Sequence, residues 1–186
     1  MKTKVMLSNH HVHLNQEACD TLFGEAGLTF SRYLAGNGGP WASNEFVDVR
    51  GPKGELTRFR VLGPLRPYIQ CELLKTDCYK LGITAPVRNS GMLDGAAELT
   101  LVGPCGEVTA PCGILAWRHI HADKDALAEM GKQYGDFVTV TTEGDRALTF
   151  QNVAIVKGGK GLLMHVDTEE GNAAGIVNGD ELEIIL

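Results

Sequence analysis

The chain has 186 residues, of which 44% are hydrophobic and 22% charged, and its formal net charge is −6 at pH 7. These values are typical of a globular protein, and the negative charge argues against nucleic acid or an anionic membrane as a partner. The sequence contains no apolar run long enough to cross a bilayer and no pattern typical of a signal peptide.

The five cysteines are odd in number and lack C-x-x-C spacing. This usage favours reduced thiols over a disulfide framework or a zinc ribbon. A strand is predicted almost at the first residue, so we expect no N-terminal targeting extension. We therefore expect a cytoplasmic protein.

In the first half of the chain, short strands and helices alternate with turn signals. Asn15 is a typical helix N-cap, and Gly24 would end the helix that Asn15 begins. Three glycines and a proline within 28–43 predict a loop there. In chain order the predicted elements are a strand, a helix, this loop, a hairpin, a strand and a helix: 4–8, 16–23, 28–43, 46–62, 69–73 and 76–81.

The second half predicts a hairpin over 99–110, a strand over 113–117 and a helix that Asp123 caps, followed by a β-rich stretch and a last helix over 168–174. An H-x-H or H-x-D motif, a capped helix and a Gly-Asp turn occur from His119 and again from His165. A weaker copy starts at His11. This repetition predicts a mainly β fold of two related small β-barrels capped by helices, and one irregular α+β domain is the alternative.

Two H-x-H triplets, His11-Val12-His13 and His119-Ile120-His121, contain four of the six histidines, and His10 adjoins the first. In a β-strand, residues i and i+2 share a face roughly 6.5–7 Å apart. Two imidazoles at that separation can bind one metal ion, whereas a helix would not bring them together. The sequence therefore predicts a metal site in two parts.

Each triplet needs a third ligand. His165 follows an apolar run and is the obvious candidate for one triplet. For the other, Glu72 lies in an otherwise apolar strand, where an unpaired carboxylate would be costly to bury. An edge-strand Glu72 that faces water is the alternative. Imidazole and carboxylate donors without a thiolate favour zinc over other metals.

Arg66 follows a turn in Gly63-Pro64-Leu65-Arg66-Pro67, shortly before Glu72. An arginine beside a metal site is suited to bind phosphate, because its two-pronged guanidinium matches two phosphate oxygens. A solvated loop arginine is the alternative. Further cationic contacts could come from other arginines: Arg32, Arg60, Arg88 and Arg118.

Six motifs together resemble a known family. They are S-N-x-H-V-H-L at 8–14, V-L-G-P-x-R at 61–66, Q-x-E at 70–72, L-G-I-x-A-P-V-R-x-S-G at 81–91, R-H-I-H at 118–121 and M-H-x-D-T-x-E-x-N-A-A-G at 164–175. In order and spacing they resemble the PduL-type phosphate propanoyltransferases, the phosphotransacylases of bacterial microcompartment operons, such as those for propanediol degradation, and their cytosolic relatives. The resemblance extends from about residue 5 to the last residue, and only 28–43 aligns poorly.

The resemblance implies two β-barrel domains, 1–9 with 117–186 and 10–116, the latter with an inserted loop at about 24–44. It also implies two metal ions, usually zinc, one held by His11, His13 and Glu72 and the other by His119, His121 and His165. Arg66 falls on the phosphate-binding arginine of the family, which commonly has arginine where this chain has His10. The residues that fall on coenzyme A contacts are Ser8, Arg32, Arg60, Leu62 and Asn172.

The activity implied is phosphate acyl transfer, in which propionyl-CoA or acetyl-CoA plus phosphate gives acyl phosphate plus CoA by direct attack of metal-bound phosphate on the thioester. The implied partners are a CoA thioester, inorganic phosphate and acyl phosphate, and the implied assembly is a homodimer in the cytoplasm or a microcompartment. Two alternatives remain, a two-metal hydrolase and a non-catalytic metal-binding β-barrel module.

Overall fold

The computed structural model describes residues 1–34 and 39–186. None of the helices in these ranges is both long and apolar enough to cross a membrane. The helices are α1 (Gln16–Phe23), α2 (Lys75–Leu81), α3 (Lys124–Met130) and α4 (Thr168–Ala174), with a 3-10 helix at Gly24–Ala26. The strands are β1 (Lys2–Ser8), β2 (His11–His13), β3 (Phe30–Tyr33), β4 (Trp41–Arg50), β5 (Glu55–Gly63), β6 (Gln70–Leu73), β7 (Val87–Arg88), β8 (Ala97–Val102), β9 (Glu107–Ala116), β10 (His119–Ala122), β11 (Phe137–Thr141), β12 (Thr149–Lys157), β13 (Leu162–Asp167) and β14 (Glu181–Ile185).

One compact unit consists of Met1–Asn9 and Trp117–Leu186. Its six strands form a closed barrel in the order β1-β13-β10-β12-β11-β14, and β14 pairs with β1 to complete the ring. Alternate residues of each strand point inward, and the most deeply buried of them are apolar. Ile120, Ile155 and Met164 are completely buried in this first barrel.

The other compact unit is His10–Ala116. Its strands follow the order β3-β4-β5-β2-β6-β9-β7, and β8 pairs with both β4 and β9. Those two pairings close β4, β5, β2, β6, β9 and β8 into a second six-stranded barrel, with β3 and β7 attached outside the ring. Its buried core includes Val12, Phe59 and Ile114, each with no solvent exposure.

Both barrels follow one connection plan when each is read from its H-x-H strand. The second barrel runs β2-α1-β4-β5-β6-α2-β8-β9, and the first runs β10-α3-β11-β12-β13-α4-β14-β1. The parallel pairs occupy matching places, β2 with β5 and β6 with β9 in one, β10 with β12 and β13 with β1 in the other. The two barrels are therefore circular permutants of one topology, and the predicted fold of two related barrels with short helices is confirmed.

The N-cap of each of the helices α1 to α4 lies two residues after a predicted metal ligand, in turn His13, Glu72, His121 and His165. Three of the caps are polar side chains that accept a backbone N–H: Asn15 from Ala18, Asp123 from Ala126 and Asp167 from Glu170. At the fourth, Leu74, the bond runs the other way, from the Leu74 N–H to the Asp77 carboxylate at 3.0 Å. The caps fix where each strand turns into a helix and so hold the preceding ligand in place.

The loop predicted over 28–43 is wrong in part. Phe30–Tyr33 forms β3, and β4 already begins at Trp41. The Phe30 ring lies 4.9 Å from the Tyr33 ring and 5.7 Å from the Trp41 ring. These aromatic contacts stabilise a hairpin in a segment whose glycines had predicted a loop. Positions 35–38 of the predicted loop lie outside the described residues.

Candidate metal sites

The first barrel brings His119, His121 and His165 together. In the antiparallel pair of β10 and β13, His119 lies directly opposite His165, and His121 follows on the same face of β10. One ligand atom from each residue lies within 4.8 Å of the others. A Cβ on Gly158 would lie only 2.4 Å from Nδ1 of His121, so glycine is required for this imidazole to fit. We call these three residues the His₃ triad.

The protonation of this triad follows from its hydrogen bonds. Nδ1 of His119 lies 2.8 Å from the Trp117 carbonyl oxygen, and Nδ1 of His121 lies 3.4 Å from that of Lys157. A carbonyl can only accept, so both Nδ1 atoms donate, and in a neutral ring Nε2 then carries a lone pair. Burial and the nearby His119 lower the pKa of His121, which favours that neutral form.

The two Nε2 atoms of His119 and His121 face each other at 3.3 Å. Two lone pairs at that distance repel each other unless a cation lies against both. A metal ion is the cation that suits them, because metal-bound histidines typically donate their other N–H to a carbonyl. The geometry and donor chemistry of the His₃ triad therefore fit a metal ion.

The second barrel brings His11, His13 and Glu72 together. In the antiparallel pair of β2 and β6, His11 lies opposite Glu72 and His13 lies opposite Gln70. Nε2 of His11 is 3.4 Å from Oε2 of Glu72, and Nε2 of His13 is 4.0 Å from Oε1. Strand β6 lies between β2 and β9, so Glu72 is not on an edge strand and faces the histidines. We call these residues the His₂Glu triad.

The electrostatics of the His₂Glu triad also suit a cation. Burial, reinforced by the nearby His11, lowers the pKa of His13 to about 3, so this imidazole is neutral near pH 7 and keeps a lone pair. Two imidazoles with a carboxylate, and three imidazoles, are both established zinc donor sets. Cys71 alternates to the opposite face of β6 from Glu72, and burial raises its pKa well above the usual value.

Arg66 contributes positive charge to the second barrel. Its backbone N–H donates to the Leu14 carbonyl at 2.8 Å, and its charge is one of the causes that lower the pKa of His13. Its Nε atom is buried and has no hydrogen-bond partner among the described residues. A buried donor without a partner is costly, so Arg66 has capacity to bind an anion.

The residues predicted to contact coenzyme A lie in both barrels. Ser8 ends β1 and Asn172 is exposed on α4 in the first, while Arg32 lies on the exposed strand β3 in the second. Arg60 is in register with His11, stacks 4.2 Å above the Phe46 ring and donates to the Ser43 carbonyl. Leu62, two residues further along β5, is buried.

Two residues beside the His₂Glu triad received no specific role from sequence reasoning. Gln70 is completely buried and donates to Glu72, although it stands in the Q-x-E motif that carried part of the resemblance. His10 turns away from His11, stacks on Phe59 at 3.9 Å and lies 2.9 Å from the Asp77 carboxylate. Neither contact of His10 could be read from local sequence, because Phe59 and Asp77 are distant from it in the chain.

Comparison with known proteins places the chain among the acyltransferases. The family model for phosphate propanoyltransferase matches residues 4–177. The chain is 43% identical to the phosphate propanoyltransferase of Rhodobacter capsulatus, across 94% of this chain and 82% of the relative. It is 42% identical to that of Thermotoga maritima (97% and 88% covered) and 43% identical to that of Salmonella typhimurium (92% and 83% covered). The chain belongs to the phosphate propanoyltransferase family, as its six motifs had indicated.

Proposed function

We propose that the protein is a metal-dependent phosphotransacylase that interconverts propionyl-CoA or acetyl-CoA and phosphate with acyl phosphate and CoA. Family membership supports the acyl transfer. The observation that carries the metal dependence is the pair of triads, above all the Nε2 atoms of His119 and His121, which face each other at 3.3 Å.

In the proposed reaction an oxygen of inorganic phosphate attacks the carbonyl carbon of the thioester. The new C–O bond forms, the C–S bond breaks, and CoA leaves as a thiolate that takes up a proton from water. Arg66 binds phosphate through its guanidinium. Its positive charge offsets the electrostatic repulsion between phosphate and CoA, which are both negatively charged. Its Nε, which has no hydrogen-bond partner within 1–34 and 39–186, supports this assignment.

No acyl-cysteine intermediate is proposed. Burial raises the pKa of four of the five cysteines, Cys19, Cys71, Cys78 and Cys112, so their reactive thiolate forms are disfavoured. The direct route therefore predicts that Cys71→Ser keeps the activity of the unmodified enzyme. A folded but inactive Cys71→Ser variant would contradict it.

The His₂Glu and His₃ triads would hold one zinc ion each, and zinc would supply the positive charge that brings phosphate to the carbonyl and stabilises the oxyanion. His13 and His121 have lowered pKa values and remain neutral near pH 7, so each has a nitrogen lone pair that can bind a metal ion. Paired strands and capped helices hold both triads in place before any ion binds.

The proposed partners are a CoA thioester, inorganic phosphate and acyl phosphate. The proposed CoA contacts are Ser8, Arg32, Arg60, Leu62 and Asn172, and they rest on the motif match. A cytoplasmic homodimer, with microcompartment association as a further possibility to test, rests on the family resemblance; the free state of the cysteines supports a reducing compartment. Light scattering of the purified protein tests the dimer.

The decisive experiment measures release of CoA thiol from propionyl-CoA and acetyl-CoA, with and without phosphate, by zinc-loaded protein. Phosphate-dependent release is expected. Release that does not need phosphate would indicate a hydrolase, and no release would indicate a non-catalytic metal-binding module. A series of acyl-CoA chain lengths on the same preparation defines the substrate.

Arg66→Ala sharpens the test. It is expected to raise KM for phosphate by at least ~10-fold, because charged hydrogen bonds to the anion are lost. KM for acyl-CoA should change less. Arg50→Ala is the matched control, since Arg50 is an exposed arginine of the same barrel that pairs with Glu55 and Glu107 at the surface.

A further inference from the structure

Gln70 is completely buried, and its side-chain amide makes three hydrogen bonds. Nε2 lies 2.8 Å from Oε1 of Glu72 and 2.9 Å from Oγ of Ser90, and Oε1 accepts the backbone N–H of Gly91 at 2.7 Å. A primary amide has two donor hydrogens on its nitrogen, and both are used here. Gln70 therefore joins the His₂Glu triad to the segment that contains Ser90 and Gly91.

The orientation of this amide is fixed by its partners. The Gly91 N–H can only donate, so it must meet the amide oxygen, and the NH₂ group must then face Glu72 and Ser90. A carboxylate that accepts such a bond is held in one orientation toward the metal site. The bond holds Oε1 of Glu72, while Oε2 lies 3.4 Å from Nε2 of His11.

The first barrel provides an internal comparison. Its paired strands repeat the same block of four positions, with His119 opposite His165 and His121 opposite Leu163. In the second barrel His11 lies opposite Glu72 and His13 opposite Gln70. The amide therefore occurs only beside the carboxylate ligand, and an apolar leucine takes its place beside the imidazole ligand.

The segment anchored by Gln70 belongs to the motif Val87-Arg88-x-Ser90-Gly91, to which the proposed reaction gives no role. Arg88 donates from Nε to the Asp94 carbonyl and from a terminal nitrogen to the Val87 carbonyl, both at 2.9 Å. These bonds link the start of the motif to the residues that follow it. The amide of Gln70 connects this segment to β6. The motif therefore supports Gln70, and Gln70 supports Glu72.

We propose that Gln70 is a positioning residue, which orients Glu72 for metal binding and is itself held by Ser90 and Gly91. The inference rests on the proposed zinc site of the His₂Glu triad. Loss of the Gln70 side-chain amide is expected to weaken zinc binding at that triad and to leave zinc binding at the His₃ triad unchanged.

The test uses the full chain carrying Gln70→Met, Ser90→Ala or Leu163→Met. Methionine approximates the length of glutamine but cannot make the three hydrogen bonds. Leu163→Met is the matched control, because it makes a volume-conserving change at the equivalent position of the other barrel. Chelator competition measures zinc affinity, and the visible absorption of cobalt-substituted protein reports ligand geometry. A parallel series in His121→Ala assigns the two binding steps.

Gln70→Met is expected to weaken zinc binding at the His₂Glu triad by ~10–100-fold and to alter the cobalt spectrum, as loss of a hydrogen-bond partner of a ligand typically does. Ser90→Ala should produce a smaller loss, and Leu163→Met none. Unchanged affinity and spectrum in folded Gln70→Met would overturn the inference alone. If that variant does not fold, unchanged affinity in Ser90→Ala overturns it. A wild-type protein that binds no zinc would overturn the proposed function as well.

Discussion

The two triads occupy one backbone frame but differ in charge and surroundings. In each, the first histidine of an H-x-H strand lies opposite the third predicted ligand on an antiparallel neighbour. The third ligand is an imidazole in the first barrel and a carboxylate in the second, so a bound Zn²⁺ would leave a net charge of about +2 in one triad and about +1 in the other. Strand pairing therefore sets which side chains meet, and residue type sets the charge they present.

Burial separates the triads further. His11 and His13 are 7% and 5% exposed, whereas all members of the His₃ triad are only partly buried. The buried triad is also the one that has Arg66 near it and Gln70 behind its carboxylate. A carboxylate in the more buried site has little water to solvate it, so neighbouring side chains must supply the hydrogen bonds and charge that water would provide.

The largest expected effect comes from removing one ligand of each triad. His13→Ala and His121→Ala should each lower bound zinc by about one ion per chain and reduce phosphotransacylase activity by at least ~100-fold, because neither triad can replace a lost donor. Elemental analysis and the CoA-release assay measure both quantities.

His10→Ala is the control for these variants, because His10 contacts Asp77 and Phe59. It should keep the full zinc content. If His13→Ala or His121→Ala bound as much zinc as the unmodified protein, the corresponding triad would not be a metal site.

The central residues of the triplets test the barrel cores. Ile120 and Val12 both have no solvent exposure. Ile120→Ala should lower the unfolding free energy of the first barrel by about 2–5 kcal/mol. Val12→Ala should cost the second barrel about 0.5–1.5 kcal/mol less, since one fewer carbon is removed. Urea unfolding followed by circular dichroism measures both, and a larger loss for Val12→Ala would contradict equivalent packing.

Acidification should destabilise the protein when metal is removed. Burial lowers the pKa of His13 from 6.5 to about 3, so between these pH values the unfolded chain binds more protons than the folded chain. The unfolding free energy is therefore highest above pH 6.5 and falls as the pH decreases, by at most ~1.4 kcal/mol per pH unit for this group. His121 has the same sign of shift in the first barrel.

Urea unfolding of chelator-treated protein at pH 7 and pH 5 measures this dependence. His13→Gln, which cannot take up the proton, should show a smaller decrease than the unmodified chain. An equal decrease would mean that His13 does not titrate differently in the folded and unfolded states.

The smallest expected effects are at the helix caps. Asn15→Ala and Asp123→Ala each remove an acceptor for a backbone N–H at 2.9 Å, and each should lower the melting temperature slightly. The two losses should be similar, because the caps occupy equivalent places in the two barrels. Thermal unfolding measures them, and Glu129→Ala, on the exposed face of α3, is the control. A clear difference between the caps would show that the barrels use their helices differently.

Local patterns in the sequence predicted much of this architecture. The H-x-H triplets could be recognised because strand periodicity places their imidazoles on one face regardless of the rest of the fold. The caps of α1 and α3 were equally local, and α2 begins at Lys75, one residue earlier than predicted. The six motifs indicated the family because they occur in order along nearly the whole chain.

Long-range pairing was not accessible in the same way. The register that places Glu72 opposite His11 and Gln70 opposite His13 joins residues that are far apart in the chain, and no local pattern specifies it. The hairpin of β3 and β4 was missed because glycine and proline predicted a loop, while cross-strand contacts of Phe30 and Trp41 favoured strands. Local rules thus predicted elements, and tertiary contacts decided between them.

The circular permutation has a consequence for synthesis on the ribosome. Strand β1 emerges early, but its partners β13 and β14 emerge last, as the pairing of Lys4 with Leu163 shows. Residues 10–116 contain every strand of their own ring, so the second barrel can close during translation before the first, which needs β14. Until then β1 exposes unpaired backbone groups that a neighbouring nascent chain could capture. A premature stop codon before β14 would leave the β14-facing edge of β1 permanently unpaired in the first barrel, although the second barrel would already be complete.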